Sequence, residues 1–165
     1  MLGLDSPWER EAVLTLFGMF CGGMAVLTLT PRWVIWSLVD CLHGYGWNVG
    51  GYPFFELGAV NLVPFQSFGL DGHSLYILLG NIVMFLPFGF FPALLWQKFT
   101  WKRALVMGLC VTGFIECWQL CVGRAFDIDD LMLNTLGTLC GFWLWLPLKR
   151  TAPDFAKQFR IKSVT

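Results

Sequence analysis

The chain sets long apolar runs between short polar breaks, and four of the runs have the length of a bilayer crossing. A hydrocarbon core of about 30 Å takes roughly 20 residues of helix. Stretches at about 11–30, 74–97, 103–122 and 128–147 meet that requirement. The first opens on Ser6, Pro7 and Glu9, a capping box with proline at the first helical position, and Pro31 ends it. Within it Gly18 and Gly22 have the small-xxx-small spacing that lets a second helix approach closely. The second run carries Pro87 and Pro92, so freed carbonyls there need partners on neighbouring helices or a kink.

Between the first and second runs the pattern changes. Trp33, Trp36, Trp47 and Tyr52 suit an aromatic belt at the membrane interface, and Gly44, Gly46, Gly50 and Gly51 mark a loop. Phe54 to Phe68 is apolar but short, and Asn61 and Pro64 break it, so a re-entrant or interfacial segment is expected. The pattern therefore predicts an all-α integral membrane protein. Its core is a bundle of about four transmembrane helices within residues 1–150, followed by a basic cytoplasmic tail at 151–165.

Composition sharpens this. Of 165 residues, 56% are hydrophobic and 13% charged, against about 25% charged in a soluble domain. The formal net charge of zero argues against a nucleic-acid partner, which calls for a basic face. The six cysteines include no C-x-x-C pair and read as small packing residues. Asp5, Glu9 and Glu11 around Arg10 are unlike the positive start of a secretion signal. Nine of the 11 Lys and Arg fall in the N-terminal segment, the 98–103 connection and the tail, leaving Arg32 and Arg124 for the other side. By the positive-inside rule the protein is multi-pass with both termini cytoplasmic, and the loop at Gly123–Asp127 faces out. The tail, with Phe155, Phe159 and Ile161 among its basic residues, either rests on anionic lipid or is solvated.

Polar residues inside the runs fall at one level. Asn81 lies about seven residues below the outer end of its run, and Glu116 and Asn134 about six, which at 1.5 Å per residue puts all three near 10 Å deep. Glu116 and Gln119 share one helix face, and so do Asp127, Asp130 and Asn134. Arg124 is the one cation close in sequence to both groups, which predicts a Glu116–Arg124–Asp cluster. Intramembrane ionisable residues mark functional sites by default. The bland alternative is that Asp127 and Asp130 cap the last helix while Asn81 and Asn134 bond helix to helix. Asp129 falls off this face and reads as solvated or capping.

These residues also carry a likeness. Asn61-Leu-Val-Pro-Phe65, Asn81-Ile-Val-Met-Phe-Leu-Pro-Phe-Gly89, Glu116-x-x-Gln119, Arg124, Asp127-Ile-Asp-Asp130 and Asn134-Thr-Leu-Gly137 occur in an order that resembles the VanZ-like family of bacterial membrane proteins. The resemblance covers about half of the chain, from Asn61 to Gly141. It implies a four-span protein of the bacterial cytoplasmic membrane and an association with low-level resistance to teicoplanin, a lipoglycopeptide. It supplies no agreed reaction.

Two functions follow as expectations. In the first, a non-catalytic envelope protein binds an amphiphile, either a lipoglycopeptide or a lipid-linked precursor. Asn61, Asn81, Glu116, Gln119, Arg124, Asp127, Asp130 and Asn134 then form the polar site, and Phe65, Phe68, Phe85 and Phe88 the apolar walls. Those phenylalanines equally suit plain packing. In the second, Glu116, Asp127 and Asp130 act as acid and base, or hold a divalent metal, in an enzyme modifying a lipid or lipid-linked glycan. His43 and His73 lack metal-ligand spacing, though His73 is a candidate general base; no cofactor and no resident metal are expected. A transporter has less support, since no inverted repeat is visible, although oligomerisation through Gly18 and Gly22 would add spans. Membrane lipid is the expected surround.

Overall fold

The computed structural model describes residues 7–46, 55–66, 68, 72–154 and 159. Its elements are α1 (Pro7–Leu29), α2 (Arg32–Leu42), β1 (Val60–Asn61), α3 (Gly72–Leu95), α4 (Trp101–Cys121), β2 (Phe126–Asp127) and α5 (Ile128–Thr151). Helices α1, α3, α4 and α5 are each long and apolar enough to cross a membrane. The protein is thus a multi-pass membrane protein, and large exposed side chains such as Met19, Val83, Val106 and Phe114 are its contacts with lipid.

A short apolar helix, α2, lies between the first and second spans. It takes up Trp33 and Trp36 of the expected aromatic belt. Pro31, extended at φ −61° and ψ 146°, caps its start, and Gly44 and Gly46 at φ 84° and 80° turn the chain away after its end. Glycine suits those turns because the left-handed region costs it no side-chain clash. Trp47, Gly50, Gly51, Tyr52 and Phe54 lie outside the described residues, as do Ser6 and, from the tail, Phe155, Lys157, Arg160, Ile161 and Lys162.

The tightest seam joins α3 to α5. A Cβ placed on Gly89 would stand 1.8 Å from the Thr138 carbonyl oxygen, one on Gly137 2.3 Å from that of Ile82, and one on Gly141 1.9 Å from that of Leu86. Only hydrogen fits at these three positions, so the two backbones touch. In lipid, where apolar burial drives little helix association, such close approach maximises dispersion contact. Gly89 falls between Pro87 and Pro92, both inside the continuous helix α3. The proline-bearing stretch is therefore backed by a neighbouring helix. By contrast, Gly18 and Gly22 have nothing within 4 Å among the described residues. The close helix approach within the chain uses a different glycine set from the one that the spacing of α1 suggests.

Two apolar clusters complete the bundle. Ala93, Leu94, Ala104, Phe142 and Trp145 pack at one end. Met24, Phe85, Phe88 and Ile115 form the other, against Phe17 and Phe20 of α1. Phe20 and Phe88 meet edge-on at 5.5 Å, a geometry that brings a positive ring edge to a negative ring face. Even so, α1 is the least buried of the four spans.

The apolar stretch before α3 runs without helix from Phe55 to Val63, turns at 64–66, and folds onto the α4–α5 connection. The Glu56 N–H donates to the Cys121 carbonyl at 3.1 Å and the Gly58 N–H to that of Leu120 at 2.8 Å. Carbonyls at the last turn of a helix have no partner within it. Each element thus satisfies the other. The Phe126 N–H donates to the Ala59 carbonyl at 2.8 Å, and β1 and β2 pair in parallel, Val60 with Phe126 and Asn61 with Asp127.

Candidate functional site

Helices α4 and α5 run antiparallel from the β2 connection, each with a polar stripe on its inner face. On α4 the buried residues include Gly108, Thr112, Glu116 and Gln119, spaced by three and four. On α5 they include Asn134 and Thr138. Residues so spaced lie on one side of a helix, so the stripes meet. The Asn134 Nδ2 donates to Thr112 Oγ1 at 3.1 Å, and the Thr138 hydroxyl returns to the Asn134 carbonyl at 3.0 Å.

Above this contact the helices part around a cavity of about 130 Å³. Its polar lining is Asn81, Glu116, Gln119, Arg124, Asp130 and Asn134, with Thr28 from α1; Phe85, Met84 and Ile115 are among its apolar walls. Six of the eight residues expected to form a site therefore share one cavity, drawn from α3, α4, α5 and the connection after α4. The other two stand beside it. Asp127 donates its N–H to Glu116 Oε2 at 2.9 Å, and Asn61 Nδ2 donates to Asp127 Oδ2 at 3.2 Å.

Each polar member has a definite tie. Glu116 is 1% exposed and is held by that Asp127 N–H. Asn81 Nδ2 donates to Asp130 Oδ1, joining α3 to α5. Gln119 Nε2 and Arg124 Nη1 both donate to the Thr28 carbonyl at 3.3 Å, and Trp118 Nε1 donates to that of Leu29 at 2.7 Å. These are final-turn carbonyls of α1, which lack partners in their own helix and carry the negative end of its dipole. A guanidinium and two neutral donors therefore pin the end of a helix that is otherwise loosely packed. Asn134 is 5% exposed, and its Oδ1 is buried with no hydrogen-bond partner among the described residues.

The acidic residues divide by role. Asp127 caps α5: its Oδ1 accepts the Asp129 N–H at 2.9 Å while Oδ2 takes Asn61. Glu116 and Asp130 face the cavity with Arg124. Asp129, which reads from sequence as solvated or capping, is instead fully buried at 0% exposure. It accepts the Phe65 N–H at 2.6 Å. Phe65 has φ 66°, so a buried carboxylate holds a bulky residue in a conformation that L side chains disfavour. The β1–β2 pairing brings that turn to the start of α5, a placement that no helical-face argument contains.

Thr112 and Trp118 were not singled out from sequence, although Thr112 lies one helical turn before Glu116 on the same face. Glu56 is a further omission: its backbone also accepts the Gly123 N–H at 2.7 Å. Of the histidines, His43 Nδ1 meets the Val39 carbonyl at 2.8 Å on α2 and is not among the cavity's lining residues. His73 begins α3, and its side chain is outside the described residues.

A second concavity, about 660 Å³ and almost wholly apolar, is lined by Phe65, Phe68, Leu79, Ile82, Met132 and Leu136 among others. Phe65 and Phe68 pack edge to face at 5.1 Å along it. Phe85 lines the polar cavity instead, and Phe88 belongs to the core. The two concavities use neighbouring residues of the same helices, Asn81 beside Ile82 on α3 and Asp130 beside Leu131 on α5.

Four apolar spans around a buried polar cavity define a small multi-pass membrane protein of the helix-bundle kind. The family profile described as VanZ/LLP1 matches residues 17–150, and the chain belongs to that family. No curated protein and no solved structure matches it.

Proposed function

We propose that this VanZ-family protein is a non-catalytic envelope protein that engages an amphiphile, a lipoglycopeptide or a lipid-linked envelope component, in the outer half of the bilayer. In doing so it gives protection of the teicoplanin type, the resistance with which VanZ is associated. One observation carries the reading: a polar cavity and a larger apolar concavity, here called the groove, lie against the same pair of helices, α3 and α5. The groove's roughly 660 Å³ falls within the range of about 300–1,000 Å³ that houses a drug-sized ligand. The cavity's 130 Å³ is smaller, so it takes one polar group of the ligand and not a whole glycan. The excess of Lys and Arg at the opposite end of the bundle supports an outward-facing cavity.

Asp127 weighs against the catalytic alternative. Both of its carboxylate oxygens are committed, one to capping α5 and one to Asn61, which leaves it poorly placed to move protons. The test uses Glu116→Gln and Asp130→Asn, each close in shape to the native residue, in cells that express the protein. Teicoplanin susceptibility should rise to that of cells without it, while membrane abundance stays the same. Full protection by both variants refutes the reading, and a new covalent lipid species seen by mass spectrometry only with the native protein favours an enzyme.

A further inference from the structure

We infer that the cavity between Glu116, Asp130 and Asn134 is a receptor for a primary ammonium group, an inference that rests on the amphiphile reading and names the part of the ligand that enters. The cavity wall carries two carboxylates, Glu116 and Asp130, and one guanidinium, Arg124. With these groups ionised, one negative charge is left over. A buried charge is neutralised by a proton or by a counterion, and a ligand that brings a positive charge would supply the counterion.

Hydrogen-bonding capacity narrows its chemistry. Asn134, 5% exposed, lines the cavity with its Oδ1 lacking any donor among the described residues. That atom calls for an N–H or O–H, and an anion would place acceptor against acceptor. A hard divalent cation takes six to eight oxygen ligands. Here Glu116 Oε2 is already engaged by the Asp127 N–H and Asp130 Oδ1 by Asn81, which leaves too few free oxygens for such a shell. A primary ammonium brings one charge and three N–H donors. Three acceptors match them: the Glu116 carboxylate, the Asp130 carboxylate and Asn134 Oδ1. A quaternary ammonium has the charge and none of the donors. Leu27 and Thr28 of α1 close one side of the cavity. Arg124 spends one N–H on Thr28 and retains others for a phosphate at the mouth.

The ammonium can belong to a lipid headgroup or to a free amine, and the experiment separates the two. The full chain is reconstituted in phosphatidylglycerol vesicles doped with equal amounts of phosphatidylethanolamine and phosphatidylcholine, re-extracted, and its retained lipid measured by native mass spectrometry. Phosphatidylethanolamine should be retained over phosphatidylcholine by about tenfold or more, a difference of about 1.4 kcal/mol. Ethanolamine added in solution should displace it if the amine alone suffices, and should leave it in place if the lipid is required; either result supports the receptor. In folded Glu116→Gln and Asp130→Asn proteins the preference should vanish. Equal retention of the two lipids by the native chain overturns the inference without reference to any variant, and so does preferential retention of phosphatidylglycerol. Lost protection in the susceptibility test with no amine preference fells this inference alone. A clear preference with fully protective variants fells only the functional proposal.

Discussion

Gly141 offers the sharpest test of the structure because its partner is backbone. In Gly141→Ala the new Cβ would stand 1.9 Å from the Leu86 carbonyl oxygen, 2.8 Å from its carbon and 3.0 Å from the Phe90 nitrogen. Ordinary contact lies near 3.5 Å, so α3 and α5 must part by roughly 1.5 Å, and the dispersion contacts along the seam weaken together. Overpacking of a well-packed site costs about 1–3 kcal/mol. A main-chain neighbour cannot rotate away, which places this variant at the upper end. Gly22→Ala is the matched control. It has open space around it, and alanine is favoured over glycine in a helix interior by about 1 kcal/mol. Unfolding of the two proteins in mixed micelles by titrated denaturing detergent, followed by circular dichroism, should show Gly141→Ala destabilised by about 2–3 kcal/mol and Gly22→Ala unchanged or slightly stabilised. The seam also carries the Asn81–Asp130 bond, so Gly141→Ala should weaken ligand retention as well. Equal stability of the two variants would refute the close approach of α3 and α5.

Other outcomes follow from the same contacts. Asp129→Ala leaves the Phe65 N–H without its acceptor, costing about 1–3 kcal/mol, and hydrogen exchange should quicken at Phe65; unchanged exchange there would count against the buried carboxylate as the holder of that turn. Trp118→Phe keeps an aromatic ring, though a smaller one, and deletes the donor to Leu29, a loss of about 1 kcal/mol for the hydrogen bond. It should raise maleimide labelling of the half-buried Cys21 on α1, and unaltered labelling would show that α1 is held by other means. A cysteine placed at Ala125, in the exposed part of the α4–α5 connection, should react with a membrane-impermeant thiol reagent added to intact cells, after the native cysteines are replaced. Reaction only after the membrane is opened would reverse the proposed orientation.

The family assignment gives the class of protein and names no ligand. Within the matched residues 17–150, the polar side chains fall into two kinds. Asp127, Asp129, Asn61 and Trp118 have their partners inside the protein. Glu116, Asp130, Asn134 and Arg124 face a cavity with bonding capacity to spare. Mutations in the first group should disturb folding, and conservative mutations in the second should disturb function with the fold intact.

The four long helices are legible in the chain because a bilayer demands length and apolarity, both local properties. The shared level of Asn81, Glu116 and Asn134 is legible for a similar reason: helical rise is constant, so depth can be counted from a helix end. Local rules stop there. Asp129 reads as a surface or capping residue, yet it is buried, because the turn at Phe65, after β1, reaches it from more than sixty residues earlier in the chain. Helix α2 hides inside an aromatic stretch too short to signal a span. The glycine spacing of α1 promises a close contact that the chain makes instead between Gly89, Gly137 and Gly141. Periodicity says which side of a helix is polar or small, but which helix meets that side depends on how backbones fit together in three dimensions.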